Sequence, residues 1–196
     1  MKAPEFSIAV YCGSRLGAEA HFAALAQQVG QWIGEHEGQL VYGGGNAGLM
    51  GLVAQSTQAH GGRVVGVIPD ALVSKELANH ACDELHVVRN MHERKALMAQ
   101  RADAFLAIPG GIGTFEELFE VWTWRQLGYH DKPIGILNAE GYYDRLLAFL
   151  QDTQTAGFVS AWQMDLVNIG QDAPALLSAL REGITARPSG FDASAI

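Results

Sequence analysis

Short apolar runs alternate with longer amphipathic segments along almost the whole chain, and several of those runs end directly in glycine. Runs at residues 6–12, 40–42, 63–68, 85–89, 104–108, 133–137 and, more weakly, 165–169 read as strands. The segments between them, at about 18–36, after 45 to about 60, 91–101, about 115–127, 142–152 and 173–181, carry helical spacing. The strand residues are largely Val, Ile, Leu and Ala, a composition that belongs to strands buried on both faces, as in a parallel sheet. Regular alternation then implies right-handed crossovers and a doubly wound α/β sandwich, Rossmann-like, with helices on both faces. A chain of 196 residues with 17% charged side chains fits one such domain. Residues 1–182 are read as that domain and 183–196 as a loose tail, with no internal repeat and no dividing linker.

In a fold of this class ligands bind outside the carboxyl ends of the strands, where strand order reverses. The strand–helix loops therefore hold the candidate chemistry. Gly43-Gly44-Gly45-Asn46-Ala47-Gly48 satisfies the G-x-G-x-x-G dinucleotide fingerprint. It follows the second strand, however, and the next strand ends in Ile68-Pro69 with only Asp70 nearby as an acidic partner for a ribose. The loop reads either as a tight strand–helix turn or as a place where backbone N–H groups approach an anion.

Pro109-Gly110-Gly111-Ile112-Gly113-Thr114-Phe115-Glu116-Glu117 is more informative. A phosphate at the start of the following helix gains roughly 0.3–2 kcal/mol from the helix dipole, besides its direct hydrogen bonds. Thr114 is read as opening that helix, and Thr114-x-x-Glu117 is also a capping box. Capping accounts for Thr114 and Glu117 but not for two adjacent carboxylates beside an anion nest; at least one of them should face a sugar hydroxyl, a water or an arginine. Met91-His92-Glu93-Arg94-Lys95 opens the preceding helix with two cations that oppose its dipole. Solvent exposure and a bidentate role for Arg94 toward phosphate or carboxylate both explain them.

The formal net charge of −8 opposes nonspecific contact with nucleic acid or an anionic membrane. A small anionic ligand remains compatible with a local cluster of cations and N–H donors. The two cysteines, Cys12 and Cys82, have no metal spacing, and the seven histidines include no H-E-x-x-H, so neither metal nor cofactor is expected. The opening Met1–Glu5 shows no apolar stretch behind a basic start, and no run is long enough to span a bilayer, so a cytoplasmic location is expected.

Taken in order, Tyr11-Cys12-Gly13-Ser14, Val41-Tyr42-Gly43-Gly44-Gly45, Gly48-Leu49-Met50-Gly51, Met91-His92-Glu93-Arg94-Lys95 and the Pro109–Glu117 element resemble the Lonely Guy family of cytokinin riboside 5′-monophosphate phosphoribohydrolases. Thr123-Trp124-x-Gln126-Leu127-Gly128, His130-Asp131-Lys132-Pro133 and Gly141-Tyr142-Tyr143 extend the likeness, which runs over residues 8–158. The resemblance implies a homodimer that releases free base and ribose 5-phosphate from an N6-substituted adenosine monophosphate, or from AMP. Arg94 and Glu117 match the family's catalytic pair, and Gly110, Gly111, Gly113 and Thr114 its phosphate loop. Glu76, Lys95, Glu116 and Thr123 match substrate contacts, and Gly13, Ser14, Gly43, Gly44 and Gly45 join that set through the matched loops. The chain departs from the family pattern at residues 75–83 and in its tail. In the implied chemistry Glu117 serves the anomeric carbon and its attacking water, Glu116 the ribose hydroxyls, and Arg94 the charge balance. Three rivals stand beside this reading: a pyridoxal-dependent lysine decarboxylase, a nonenzymatic nucleotide or cofactor carrier, and an NAD(P) oxidoreductase.

Overall fold

The computed structural model describes residues 3–185. Seven strands form one parallel sheet: β1 (Ser7–Tyr11), β2 (Gln39–Tyr42), β3 (Arg63–Pro69), β4 (Glu84–Val88), β5 (Ala104–Ala107), β6 (Ile134–Leu137) and β7 (Val167–Gly170). Their order across the sheet is β4-β3-β2-β1-β5-β6-β7. The chain thus builds outward from β1 through β4, then returns to the other side of β1 to lay down β5, β6 and β7. The reversal lies between β1 and β5, paired from Ile8↔Ala104 to Tyr11↔Ala107, and the loops leaving these two strands meet there.

Each strand divides its side chains between two cores, as a period of two requires. Ile8, Val10, Leu40, Tyr42, Ala104 and Leu106 pack on one face with α1 (Ala20–Glu35), α2 (Gly48–Ala59) and α7 (Ala173–Thr185). Ala9, Tyr11, Val41, Phe105 and Ala107 pack on the other with α3 (Met91–Arg101), α4 (Ile112–Gln126) and α5 (Asp144–Thr155). The His130–Pro133 segment that leads into β6 is tied to both α4 and α3. His130 donates from Nε2 to Val121 O (2.9 Å) and accepts at Nδ1 from Lys132 N–H (3.1 Å). Lys132 Nζ donates to Ala99 O in the last turn of α3 (2.6 Å), where a cation also suits the dipole.

The structure moves some boundaries. The helix after Pro109 begins at Ile112 with Gly111 as N-cap, so Thr114 does not open it and the Thr114–Glu117 capping box does not form. Glycine in an extended conformation at the cap lets the helix start earlier, and Thr114 turns inward to a buried position against Gly110. A short helix, α6 (Ala161–Met164), stands where none was expected; Ser160 and Gln163 close its capping box. Helix α7 continues to Thr185, and the rest of the segment read as a tail lies outside the described residues.

Helices α1 and α2 approach closely because Gly30 and Gly34 face the backbone of α2. A Cβ on Gly30 would overlap Val53 O and stand 2.8 Å from Ser56 Cβ. Gly30→Ala gains about 1 kcal/mol of helix propensity but is expected to lose more by forcing two packed backbones apart, for a net cost of about 1–3 kcal/mol. Thermal unfolding should show a lower Tm, by roughly 2–4 °C per kcal/mol.

Candidate active site

A cavity of about 520 Å³ opens at the strand reversal, above the carboxyl ends of β1 and β5. Its floor is the meeting of two loops. Gly13 N–H donates to Pro109 O (3.1 Å), and a Cβ on Gly13 would stand 3.5 Å from Gly110 Cα. On the other side Gly48, at φ 59, lies against the backbone of Ser14 and Arg15, and Leu49 N–H donates to Gly13 O (3.0 Å). Only glycine fits the left-handed conformation together with such contact. The starts of α2 and α4 are thereby brought to one cavity.

At α4 the first intrahelical bond runs from Phe115 N–H to Gly111 O (3.1 Å). The N–H groups of Ile112, Gly113 and Thr114 precede any helical acceptor and, with the helix dipole, favour an anion. A Cβ at Gly111 or Gly113 would meet nothing within 4 Å, so both glycines leave open space beside these donors. One turn further on, Glu116 and Glu117 reach the cavity.

Arg94 approaches from α3 and is only 5% exposed. Its Nη2 donates to Gly43 O (3.0 Å) and lies 3.6 Å from Glu76 Oε2, while its Nε and that Glu76 oxygen are buried without a hydrogen-bond partner. A half-satisfied buried pair of this kind is costly alone and offers polar groups to a ligand. Glycine at 43 is required here, since a Cβ would overlap the guanidinium. The Gly43–Gly45 loop also docks the irregular segment after β3: Asn79 N–H donates to Gly44 O (2.8 Å), Asn46 N–H to Glu76 O (3.1 Å), and Gly45 bridges to Ala78.

Lys95 points away from the cavity into the gap between α3 and α4. Its Nζ is paired with Glu116 and, at 3.0 Å, with Glu120. Burial works against its charge, but the hydrogen bonds to both carboxylates outweigh it and hold the ammonium above the usual lysine range. Among the described residues Glu117 has no such partner. Burial pushes its carboxyl up to about 7; the Arg94 guanidinium pulls against this, and the like charges of Glu116 and Glu76 add to the rise. Burial likewise raises the Cys12 thiol, which lines the same cavity.

Of the residues expected from the sequence, the cavity gathers Arg94, Glu117, Glu76, Glu116, Gly13, Ser14, Gly110, Gly111, Gly113 and Thr114. Gly43, Gly44, Gly45 and Lys95 stand behind it, holding Arg94, the Glu76 segment and Glu116. Thr123 is exposed on α4, outside the lining. Arg15, Met91, Leu72 and Tyr142 also line the cavity, without a role assigned to any of them from sequence. Tyr142 and Met91 left a signal, in the Gly141-Tyr142-Tyr143 and Met91-His92-Glu93-Arg94-Lys95 motifs, whereas Arg15 and Leu72 left none.

A family model described as "Possible lysine decarboxylase" matches residues 50–180. The probable cytokinin riboside 5′-monophosphate phosphoribohydrolase LOG4 of Oryza sativa subsp. japonica is 46% identical over 181 residues, covering 92% of this chain and 79% of its own. The cytokinin riboside 5′-monophosphate phosphoribohydrolase LOG2 of Arabidopsis thaliana is 45% identical over 175 residues, covering 89% and 82%. Among solved structures, the Moco carrier protein of Chlamydomonas reinhardtii superposes with a TM-score of 0.69 at 20% identity, over 94% of this chain and 99% of that one. The molybdenum cofactor binding protein of Rippkaea orientalis gives 0.67 at 23%, over 95% and 99%. Likeness at such identity shows a shared fold only. The match of 45–46% identity over about nine-tenths of the chain to these plant proteins, with the family model over residues 50–180, places the chain in the LOG family of cytokinin riboside 5′-monophosphate phosphoribohydrolases.

Proposed function

We propose that the chain hydrolyses the N-glycosidic bond of a cytokinin riboside 5′-monophosphate, an N6-substituted AMP, and of AMP itself, giving free base and ribose 5-phosphate. One observation carries the reading: a half-buried carboxylate of raised pKa, Glu117, stands one turn from an anion-binding helix start and shares its cavity with the buried Arg94. The names of the relatives point the same way.

In this reading the 5′-phosphate rests on the N–H groups of residues 111–114. Remote binding energy then positions the reacting carbon. The ribose lies toward Glu116 and Glu117. As the C1′–N bond breaks, its electron pair leaves with the base and positive charge builds on the sugar. The Glu117 carboxylate stabilises that charge and takes a proton from the water that adds to C1′. A carboxyl with a pKa near 7 then returns the proton to the departing base. Arg94 holds Glu76 in place and balances the negative charge of the cluster. A decarboxylase reading requires a lysine in the cavity for a Schiff base, and among the described residues none lines it.

The homodimer belongs to the same proposal. Thr123 faces outward on the helix that carries Glu116 and Glu117, so a substrate contact by Thr123 would serve the site of a second copy. A cytoplasmic location is proposed with it. Among the described residues no helix is long and apolar enough to cross a membrane.

Incubation with AMP and with isopentenyladenosine monophosphate, followed by chromatography, is expected to show base and ribose 5-phosphate in equal amounts. Binding of both nucleotides without base release would instead make the chain a carrier. Because Glu117 acts ionised, kcat/KM should climb with pH through a limb centred near 7, above the substrate phosphate's own second ionisation near ~6. Glu117→Gln should lower kcat/KM by about 10²–10⁴-fold and abolish that limb.

The same substitution should stabilise the fold at pH 8. Folding raises this carboxyl from 4.5 to about 7, so between those values the folded chain binds more protons than the unfolded one. The stability tied to Glu117 is therefore full below 4.5 and lost as pH rises through about 7. The Tm advantage of Glu117→Gln should vanish at pH 4. Gly43→Ala, which displaces the Arg94 guanidinium, should reduce kcat/KM by about 10²-fold, with circular dichroism unchanged.

A further inference from the structure

Three successive carbonyls in the turn after β5 are each held from a different part of the chain. Tyr143 Oη donates to Ile108 O (2.8 Å), Gly13 N–H to Pro109 O (3.1 Å), and Tyr142 Oη to Gly110 O (2.6 Å). The third bond matters most. A trans peptide is planar, so fixing the Gly110 carbonyl also fixes the Gly111 N–H on its opposite edge. That donor immediately precedes the free N–H groups that open α4. The peptide between Gly110 and Gly111 is flanked by two residues without Cβ atoms, so local sterics restrain its rotation less than that of its neighbours. A hydrogen bond from outside the loop must do so.

The tyrosine that supplies it is itself well held. Tyr142 meets Phe22 edge-on at 5.5 Å between ring centroids and Tyr143 at 4.9 Å. Phe22 packs beside Gly17, where a Cβ would stand 2.6 Å from the ring and the φ of 80 disfavours any side chain. Tyr143 is buried, and its N–H donates to Asn138 Oδ1 (2.7 Å). Tyr142, by contrast, is 40% exposed and lines the cavity. A hydroxyl so placed contributes little to folding, because water replaces its bond readily. Its geometric effect falls on the loop.

We propose that Tyr142 is a positioning residue: its hydroxyl locks the Gly110–Gly111 peptide so that the Gly111 N–H stays aimed at the substrate's 5′-phosphate. The inference rests on the hydrolase reading for the identity of that anion. It assigns Tyr142 to phosphate affinity rather than to bond cleavage, and ties the loops after β1, β5 and β6 into one support.

The test is Tyr142→Phe, which keeps the ring contacts and removes only the donor. Titration calorimetry with ribose 5-phosphate reads the anion loop without requiring turnover. The variant is expected to bind ribose 5-phosphate about three- to tenfold more weakly, with KM for AMP raised by a similar factor and kcat and Tm unchanged. Equal affinity for ribose 5-phosphate in both proteins would overturn the role of Tyr142 while leaving the hydrolase reading in place. A fall in Tm and kcat at unchanged affinity would show a structural role only and overturn it as well. A wild-type protein that neither binds ribose 5-phosphate nor releases base would overturn the hydrolase reading and this inference together.

Discussion

The close approach of backbone to backbone at the β1–β5 seam is the constraint on which the rest of the site depends. Gly13 is pressed between the turn after β5, through Pro109 O, and the start of α2, through Leu49 N–H. Side chains at 13, 48 or 110 would wedge these segments apart: a Cβ on Gly110 would strike both Thr114 Oγ1 and Gly13 N. With the wedge absent, the starts of α2 and α4 share one cavity and the carboxylates of α4 hang over it. The parallel order places two strand ends side by side, but glycine decides how near their loops come.

Electrostatics then divides the three glutamates of α4 into different tasks. Lys95 binds Glu116 and Glu120 and so joins α4 to α3. Glu117 is left without a bonded cation, close enough to Arg94 to be stabilised and buried enough to be raised. A direct salt bridge to Arg94 would have pulled its carboxyl down and removed it from useful acid–base chemistry at neutral pH. Arg94 instead turns its Nη2 to Gly43 O and toward Glu76. The cost is polar atoms buried without partners on both Arg94 and Glu76, the kind of local deficit expected where function takes precedence over stability.

The sheet was legible from sequence because strands buried on both faces must be largely apolar, and β1, β2, β5 and β6 are, save Ser7 and Gln39 at the first positions of β1 and β2. Their alternation with helices fixed the handedness and, with the glycine turns, the end of the sheet that carries chemistry. Three things were not legible, each for a stated reason. Thr114-x-x-Glu117 satisfies a capping box in one dimension, yet the cap fell to Gly111, because a glycine can start a helix wherever packing prefers. The Gly43–Gly48 fingerprint reads equally as a tight turn or as an anion cradle; in the fold its Gly43 and Gly44 carbonyls and its Asn46 N–H are taken by Arg94, Asn79 and the Glu76 segment. Lys95 was assigned to substrate by likeness; that its Nζ turns toward α4 depends on a side-chain direction that spacing along one helix does not determine.

The segment 75–83, read from sequence as a departure from the family pattern, is placed in the fold largely by its main chain. Glu76 reaches Arg94 from an irregular stretch that includes Leu77 at φ 52, a conformation unfavourable for leucine. What holds it there is mostly main chain. Asn46 N–H bonds to Glu76 O and Leu77 O, Asn79 N–H bonds to Gly44 O, and Ala78 bridges Gly45. Backbone bonds of this kind do not depend on side-chain identity, so the neighbours of Glu76 can vary while its carboxylate stays in register with Arg94. Asn79 adds a side-chain anchor of its own, donating from Nδ2 to Tyr42 Oη at the end of β2 (3.0 Å). The glycine loop that matches a dinucleotide fingerprint is thus the dock for this segment: a Cβ on Gly45 would stand 3.0 Å from Glu76 O, and one on Gly43 would overlap the Arg94 guanidinium.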